Sequence, residues 1–587
     1  MKDENIIVRK EKKDNGLDDF YYVKATKYGD HLDLMACTNS GRKGSKKPNC
    51  KKVSKGMYVN TATNEYIKAK EYVNRGENIS LLKKSASIKE VVFDGCTEQP
   101  VDLDLTLPDY CPDILRILKC RVTPKILTKS ISGDRLDVDG TAEIKILYID
   151  SIKKSIRCSD HNLPFTCSFS MKQSPQNAIV SAKVKTEYIN CRALSPRRLD
   201  IHGAFSVCAK VICKTEKEFP IGIDDENVQV KGTPVKLSTL EGMGQQQFIL
   251  SDNVTLGQGA SNIESILKSD ATIVKGDCKA ISNKVMVKGD VSIRVLYLAD
   301  INTGETKIFD YTMPFSEILD ADGVDEKCMC VTNLEVLNHT VAVKSDYSDS
   351  NSVVSFEVKI GATALGFSNS EIEPVCDAYS TEYDLNLVYS QMQLTNIVKN
   401  YSESCITKAT VEAGSDSIMS IVDLWCEHCG ITVVNEDENT LIKGRLNMCI
   451  LAKDNENMPF YSERVIDFTY PVAPSEENTA VEAEGVVQSI SYRINGSNSI
   501  DFRIETKLDI TVLDKQSVRL VTQAEADTEH PRKKDTKAAL TLYYASRGES
   551  VWSIAKEYAV CRDTVMSENE LTEDEIKTAT MLFIPNM

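Results

Sequence analysis

Polar and apolar positions alternate with a period of two over most of this chain. In VMVKGDVSIRVLYLAD (285–300), Val285, Val287, Val291, Ile293 and Val295 alternate with Met286, Lys288, Asp290, Ser292 and Arg294, and Gly289 keeps the register. Successive strand side chains point to opposite faces, so the pattern predicts strands with one face in a core and one in water. The same alternation returns in Leu199, Ile201, Phe205 and Val207, in Val354, Phe356, Val358 and Ile360, and in Ile500, Phe502, Ile504, Leu508, Ile510 and Val512. A half-buried strand needs a second layer over its apolar face, which predicts antiparallel sandwiches or open barrels.

The pattern is written three times. Ile114 and Gly140, Ile263 and Gly289, and Ile418 and Gly444 are each 26 residues apart, and the units start 149 and then 155 residues apart. Apolar residues follow each glycine at +4, +6 and +7: Ile144, Ile146 and Leu147; Ile293, Val295 and Leu296; Met448, Ile450 and Leu451. A proline-containing turn is expected 24 to 27 residues after each glycine, in LPF (163–165), MPF (313–315) and TYP (469–471). Ile114–Leu118 and Ile263–Leu267 each fit a single helical turn leading in. Equivalent positions hold different chemistry: Cys120 aligns with Ser269 and Leu424, and Tyr148 with Tyr297 and Ala452. Core and turns recur while polar residues do not, as in a scaffold and unlike a shared active site.

FDGCTEQPVDLDLTLPDYCPDILRILKCRVTPKI (93–126) and ISGDRLDVDGTAEIKILYIDSIKKSIRC (131–158) resemble the SPOCS domain of clostridial spore-coat proteins. The resemblance extends, more weakly, to the second and third units, giving SPOCS-like repeats at 86–225, 236–370 and 371–522.

The chain then changes character. Residues 523–540, QAEADTEHPRKKDTKAAL, read as a polar linker. TLYYA (541–545) predicts a strand, and Ser550 is placed to cap a helix whose Val551, Ile554, Ala555 and Tyr558 share one face. A second helix is expected from Asp563, and MLFIP (581–585) closes the module as a strand. YYASRGESVWSIAKEYAV (543–560), SENEL (567–571) and MLFIP together resemble the LysM domain, with βααβ order over 541–587. That resemblance implies binding of N-acetylglucosamine-containing glycans such as peptidoglycan. The implied groove lies between two loops, Arg547, Gly548, Glu549, Ser550 and Val551 on one side and Asn569, Glu570, Leu571 and Thr572 on the other. The sequence departs from the pattern at Glu549, where Asp is usual, at Ala559, where Gly is frequent, and at Ala579, near a usual Gly. Alanine does not adopt positive φ freely, which predicts a reshaped last loop. Trp552, beside Val551 and Ile554, is expected in the core.

SPOCS units followed by one LysM module resemble the spore-coat morphogenesis proteins of clostridia. This implies synthesis in the mother-cell cytoplasm, a place at the forespore surface or spore coat, and coat morphogenetic proteins as partners. In such proteins the LysM module docks either a glycan or a protein, notably the coat-basement ATPase, and both readings stand. The expected fold class is mainly β: three antiparallel β-sandwich-like units, a small α+β LysM module and a basic, partly disordered N-terminal segment.

Composition narrows the partners. The 587 residues carry a net charge of −16, which disfavours nucleic acid because phosphate binding needs basic surface. Residues 1–85 are the exception, with 19 Lys and Arg against 11 Asp and Glu, and SGRKGSKKPNCKKVSKGMY (40–58) holds seven basic residues. No apolar run reaches the 18 residues of a membrane span, and no secretory leader is read at the start. Nineteen scattered cysteines predict reduced thiols. Cys426-Glu427-His428-Cys429 invites a zinc reading but lacks a second pair at zinc-ligand spacing, so buried thiols are expected there. The carboxylates Asp94, Glu98, Asp102, Asp104, Asp109 and Asp113 lack an EF-hand order and read as a solvated face. No GxSxG, HxxxH or P-loop spacing occurs, and no enzyme, cofactor or metal is expected.

Overall fold

The computed structural model describes residues 79–256, 262–344, 352–414, 417–436, 439–472, 479–532 and 539–585, apart from the side chains of His428 and Glu529. Within residues 1–78 only backbone strands are described. Six of them, β1 (Glu4–Arg9), β2 (Phe20–Tyr28), β3 (His31–Cys37), β4 (Asn49–Ser54), β5 (Met57–Asn60) and β6 (Tyr66–Lys70), close into an antiparallel barrel. β7 (Glu77–Asn78) follows. The expected partial disorder of residues 1–85 falls largely outside the described residues.

The first unit pairs β9 (Ile114–Ser132), β10 (Arg135–Asp150) and β11 (Ile156–Ser170) in one antiparallel sheet, with β10 central. β8 (Leu81–Thr106), β12 (Ala178–Ser195) and β13 (Arg198–Ile223) form a second sheet, with β13 central. Leu136, Val138, Ile144 and Ile146 of one sheet and Leu199, Ile201, Phe205 and Val207 of the other enter one core and are fully buried.

The next two units repeat this topology. The second has β15 (Val235–Thr255), β16 (Ser265–Ile281), β17 (Lys284–Asp300), β18 (Glu305–Asp320), β19 (Met329–Lys344) and β20 (Val353–Ile372). The third has β22 (Tyr383–Glu412), β23 (Ser420–Glu436), β24 (Asn439–Lys453), β25 (Pro459–Val472), β26 (Thr479–Asn495) and β27 (Ser499–Pro531). Each has its own core cluster.

The recurrent glycine sits at mid-strand opposite a phenylalanine: Gly140 pairs with Phe165, Gly289 with Phe315 and Gly444 with Phe468. The ring covers the space a side chain would take; a Cβ on Gly444 would lie 1.9 Å from Phe468 Cε1. This corrects the expected proline turns, because LPF, MPF and TYP lie inside β11, β18 and β25. Those strands are sheet edges, where a residue without an N–H costs no ladder bond. The expected helical turns are also corrected: Ile114–Leu118 is extended from Ile114 and the second segment from Ser265. Their apolar residues bunch because both strand faces are buried. Ile114 and Ile263 enter their own unit's core, and Leu118 and Leu267 enter a different one.

That different core lies where the three units meet. Leu118, Leu267 and Val422 are equivalent, as are the +7 residues Leu147, Leu296 and Leu451, and all six share one buried cluster with Ile149, Leu298, Trp425 and Cys449. β11 touches β16, β18 touches β23, and β25 returns to β9, so the units close a ring about a pseudo-threefold axis. Polar residues around the axis pair across every interface. Arg121 pairs with Asp270 between units one and two. Lys268 Nζ lies 2.8 Å and Arg294 Nε 2.9 Å from Asp423 between two and three. Lys119 Nζ lies 2.8 Å from Glu427 and 2.6 Å from Glu463 between three and one. The carboxyl of Asp270 is opposed by burial, but the Arg121 and Lys268 charges outweigh that and hold it well below the usual range.

The long paired strands β8–β13, β15–β20 and β22–β27 run on past the unit cores and pack against one another. Phe219, Leu237, Ile372, Leu394 and Leu520 meet in one cluster there. Residues 523–531, expected as linker, belong to β27: Ala524 and Ala526 are buried between outward Gln523 and Glu525. Cys96 and Cys208, direct cross-strand partners with Cα atoms 4.0 Å apart, form a disulfide, which corrects the expectation of reduced thiols at this pair. The other described cysteines form no disulfide.

Candidate functional site

The C-terminal module has the expected order: β28 (Leu540–Ala545), α1 (Val551–Tyr558), α2 (Arg562–Glu568) and β29 (Thr580–Pro585), with β28 and β29 antiparallel. Ser550 caps α1, its Oγ accepting from Ser553 N at 3.1 Å. Val551, Ile554, Ala555, Val565, Ile576, Leu582 and Ile584 fill the core, with Trp552 at its border. α1 ends at Ala559 in the left-handed region (φ 52°), so alanine does take the conformation that glycine would take at less cost.

The nine residues assigned to a glycan groove have diverse roles. Gly548 (φ 91°) donates to Ile576 O at 2.9 Å, Val551 N to Asp574 O at 2.7 Å, and Ile576 N to Glu549 O at 2.9 Å. Much of the loop's backbone is therefore paired with residues 574–576. The Glu549 carboxylate accepts from Ser546 N at 3.0 Å and from the Tyr543 hydroxyl at 3.3 Å. Val551 is fully buried, so its side chain cannot line a groove. Asn569 Nδ2 donates to Val565 O and Phe583 O, both at 2.8 Å, and its Oδ1 accepts from Phe583 N at 2.7 Å, tying α2 to β29. Leu571 is partly buried against the module core. The exposed side chains of the set are those of Arg547, Glu570 and Thr572.

The module does not hang free. It packs on a two-stranded ribbon made by the connections between units, β14 (Val228–Gly232) and β21 (Val375–Ser380). Trp552 is buried as expected, but its ring meets Tyr379 edge-on at 4.9 Å and its Nε1 donates to Asp377 Oδ2 at 2.9 Å. Lys556 Nζ lies 2.6 and 2.8 Å from the two Asp377 oxygens, and the Tyr389 hydroxyl donates to the same carboxylate at 3.0 Å. Burial works against the Asp377 charge, and the Lys556 and Trp552 hydrogen bonds more than offset it, so its carboxyl sits below the usual range. Tyr379 donates to Val560 O at 2.8 Å, and burial pushes its phenol up, keeping it a donor. Cys561 Sγ lies 3.5 Å from Gln229 Oε1. Sequence reasoning missed this contact: Asp377 is 175 residues from Trp552, and only two aromatic residues in unlike contexts hint at it.

Other candidate sites resolve into structure. Cys426 and Cys429 lie on β23, in no described metal-like cluster. Glu427, Cys449 and Glu463 come together, yet the Lys119 ammonium sits between the two carboxylates where a cation would sit. Asp102 and Asp104 point outward and pair with His202 and Arg198. A cavity of about 510 Å³ opens between the three units, walled by lysines and carboxylates in mixed array, with Lys183 paired to Glu484. Among the described residues no helix is long and apolar enough to cross a membrane.

The sequence model of the family described as SipL, SPOCS domain, matches residues 113–194 and 262–344. Those segments run from β9 into β12 of the first unit and from just before β16 through β19 of the second. No curated protein and no solved structure matches the chain. The match gives the chain SPOCS domains and a sporulation-related setting.

Proposed function

From the SPOCS domains we propose that this chain is a non-catalytic structural scaffold of spore-coat assembly, with three sandwich-type units and one LysM-type recognition module. It works from the mother-cell side, at the forespore surface, bridging coat morphogenetic proteins; the coat-basement ATPase is the partner assigned to the module. The family match carries the reading. The ring supports it, because three units around a buried axis offer outward sheet surfaces while burying no common active site. The docked module supports it too, since Asp377 holds the recognition element against the body. A strain lacking the chain should assemble coat material detached from the forespore; a normally attached coat would refute the proposal.

A glycan anchor is the second reading, favoured by one observation: docking on Asp377 leaves Arg547, Gly548, Glu570 and Thr572 exposed. Pelleting of the full-length chain with insoluble peptidoglycan separates the two. Saturable pelleting, competed by N-acetylglucosamine oligomers and weakened by Arg547→Ala with Thr572→Ala, establishes the anchor. A chain that stays in the supernatant leaves protein docking as the role of the module.

A further inference from the structure

With α1 turned onto β14 and β21, the module still shows one large apolar surface. In β28, Thr541, Tyr543 and Ala545 turn inward and Leu540, Leu542 and Tyr544 turn out; in β29, Met581 and Phe583 turn out beside them. The register places Leu542 opposite Phe583 and Tyr544 opposite Met581, so the five side chains are contiguous on one face. Their exposures are 44, 58, 70, 53 and 43 % in chain order. Isolated exposed apolar residues are ordinary, but a contiguous patch in so small a module marks an interaction surface.

We propose that this sheet face binds the same face of a second copy of the chain, making a twofold dimer through the C-terminal modules. Three observations select that occupant. The face has no charged side chain, although residues 540–585 hold four basic and eight acidic ones, so nothing on it selects an oppositely charged partner or repels a copy. The outer edge of β29 is sealed at Phe583 by the Asn569 side chain, so face-to-face stacking is favoured there over strand addition. Taking roughly 200 Å² for a fully exposed large apolar side chain, the exposures leave about 500 Å² per copy and about 1,000 Å² in a symmetric pair, the threshold of a specific interface. The pairing makes each scaffold bivalent. It does not depend on the proposed coat role, and its test does not involve that role.

Sedimentation equilibrium of the full-length chain across about 1 to 100 µM decides the matter. The mass should climb from the 65.2 kDa of one chain to about twice that. Leu542→Glu puts one carboxylate from each copy into the contact and should weaken dimerisation about a hundredfold or more. Phe583→Ser should act in the same direction without adding charge. Unchanged thermal unfolding of both variants shows that the module is intact. A wild-type chain that stays at the monomer mass at about 100 µM overturns the proposal. So does a dimer that survives both substitutions, or association that runs past two copies.

Discussion

Replacing Asp377 with alanine should release the C-terminal module from the body while leaving both folded. The carboxylate accepts two contacts from Lys556, one from the Trp552 indole and one from Tyr389. Hydrogen bonds to a charged group contribute about 1.5–3 kcal/mol each, but Lys556 is 39 % exposed and its share is reduced by solvent. The indole N–H, left without an acceptor at the interface, adds about 1–3 kcal/mol of desolvation cost. A net loss of about 2–4 kcal/mol follows, a shift of about 30- to 1,000-fold in the docked-to-open ratio. Cys561, against Gln229 in the interface, reports it. Its alkylation, mapped by peptide mass spectrometry in the full chain, should accelerate at least about tenfold in Asp377→Ala and less in Asp377→Asn, which keeps an acceptor. The folded carboxyl lies below its unfolded value, so its contribution is present above about pH 4 and lost as pH falls further. Alkylation corrected for thiolate fraction should therefore show no docking change between about pH 5 and 8. Unaltered Cys561 reactivity in the alanine variant, with unaltered unfolding, would refute the idea that Asp377 holds the module.

Gly444→Ala should lower stability by about 1–3 kcal/mol, seen as a depressed melting temperature, because its Cβ would run into the Phe468 ring; Gly289→Ala should cost a similar amount, because its Cβ would meet both the Phe315 ring and the Val274 carbonyl oxygen at 2.8 Å. Asp423→Ala should cost about 1–3 kcal/mol in thermal unfolding, since it removes the fully buried carboxylate shared by Lys268 and Arg294 and leaves them Asp270 and Asp310; a shift under about 0.5 kcal/mol would show that water reaches the axis. Ala559→Gly should raise module stability by about 0.5 kcal/mol, read from calorimetry, because glycine takes the left-handed cap without the Cβ penalty but is freer when unfolded. The Asp270 contribution to the ring should persist above about pH 4 and fade only in stronger acid, checked by acid titration of circular dichroism, because its folded carboxyl lies below its unfolded value.

What the sequence disclosed depended on how local the cause was. Period-two alternation follows from which strand face is buried, so the inward residues of β10, β13, β17, β20, β24 and β27 could be named from sequence. The glycine in each repeat was visible, but its reason was not: Phe165, Phe315 and Phe468 become partners only once the strands pair. Proline was misread as a turn because composition does not say that β11 and β18 are edges. Residues 523–531 were misread as linker because alternating alanines are too small to look like a core. The docking of Trp552 on Asp377 left almost no local trace, since both residues have respectable reasons to be where they are without each other.

The +7 residues carry the most instructive signal. Leu147, Leu296 and Leu451 break the alternation, and a strand that turns apolar on both faces must be covered twice. The structure places all three at the axis. Their likeness makes the three interfaces interchangeable, and apolar contact alone would allow the units to pair in any order or with those of another chain. The neighbouring polar positions remove that freedom. Lys119, Lys268 and Asp423 occupy one equivalent site, and Arg121, Asp270 and Trp425 another, so each junction has its own pairing. Lys268 also lies 4.2 Å from the Trp425 ring centroid, whereas the equivalent Lys119 lies 5.3 Å from the Tyr461 ring at another junction. Shared apolar positions close the ring, and divergent charges fix the order of its members.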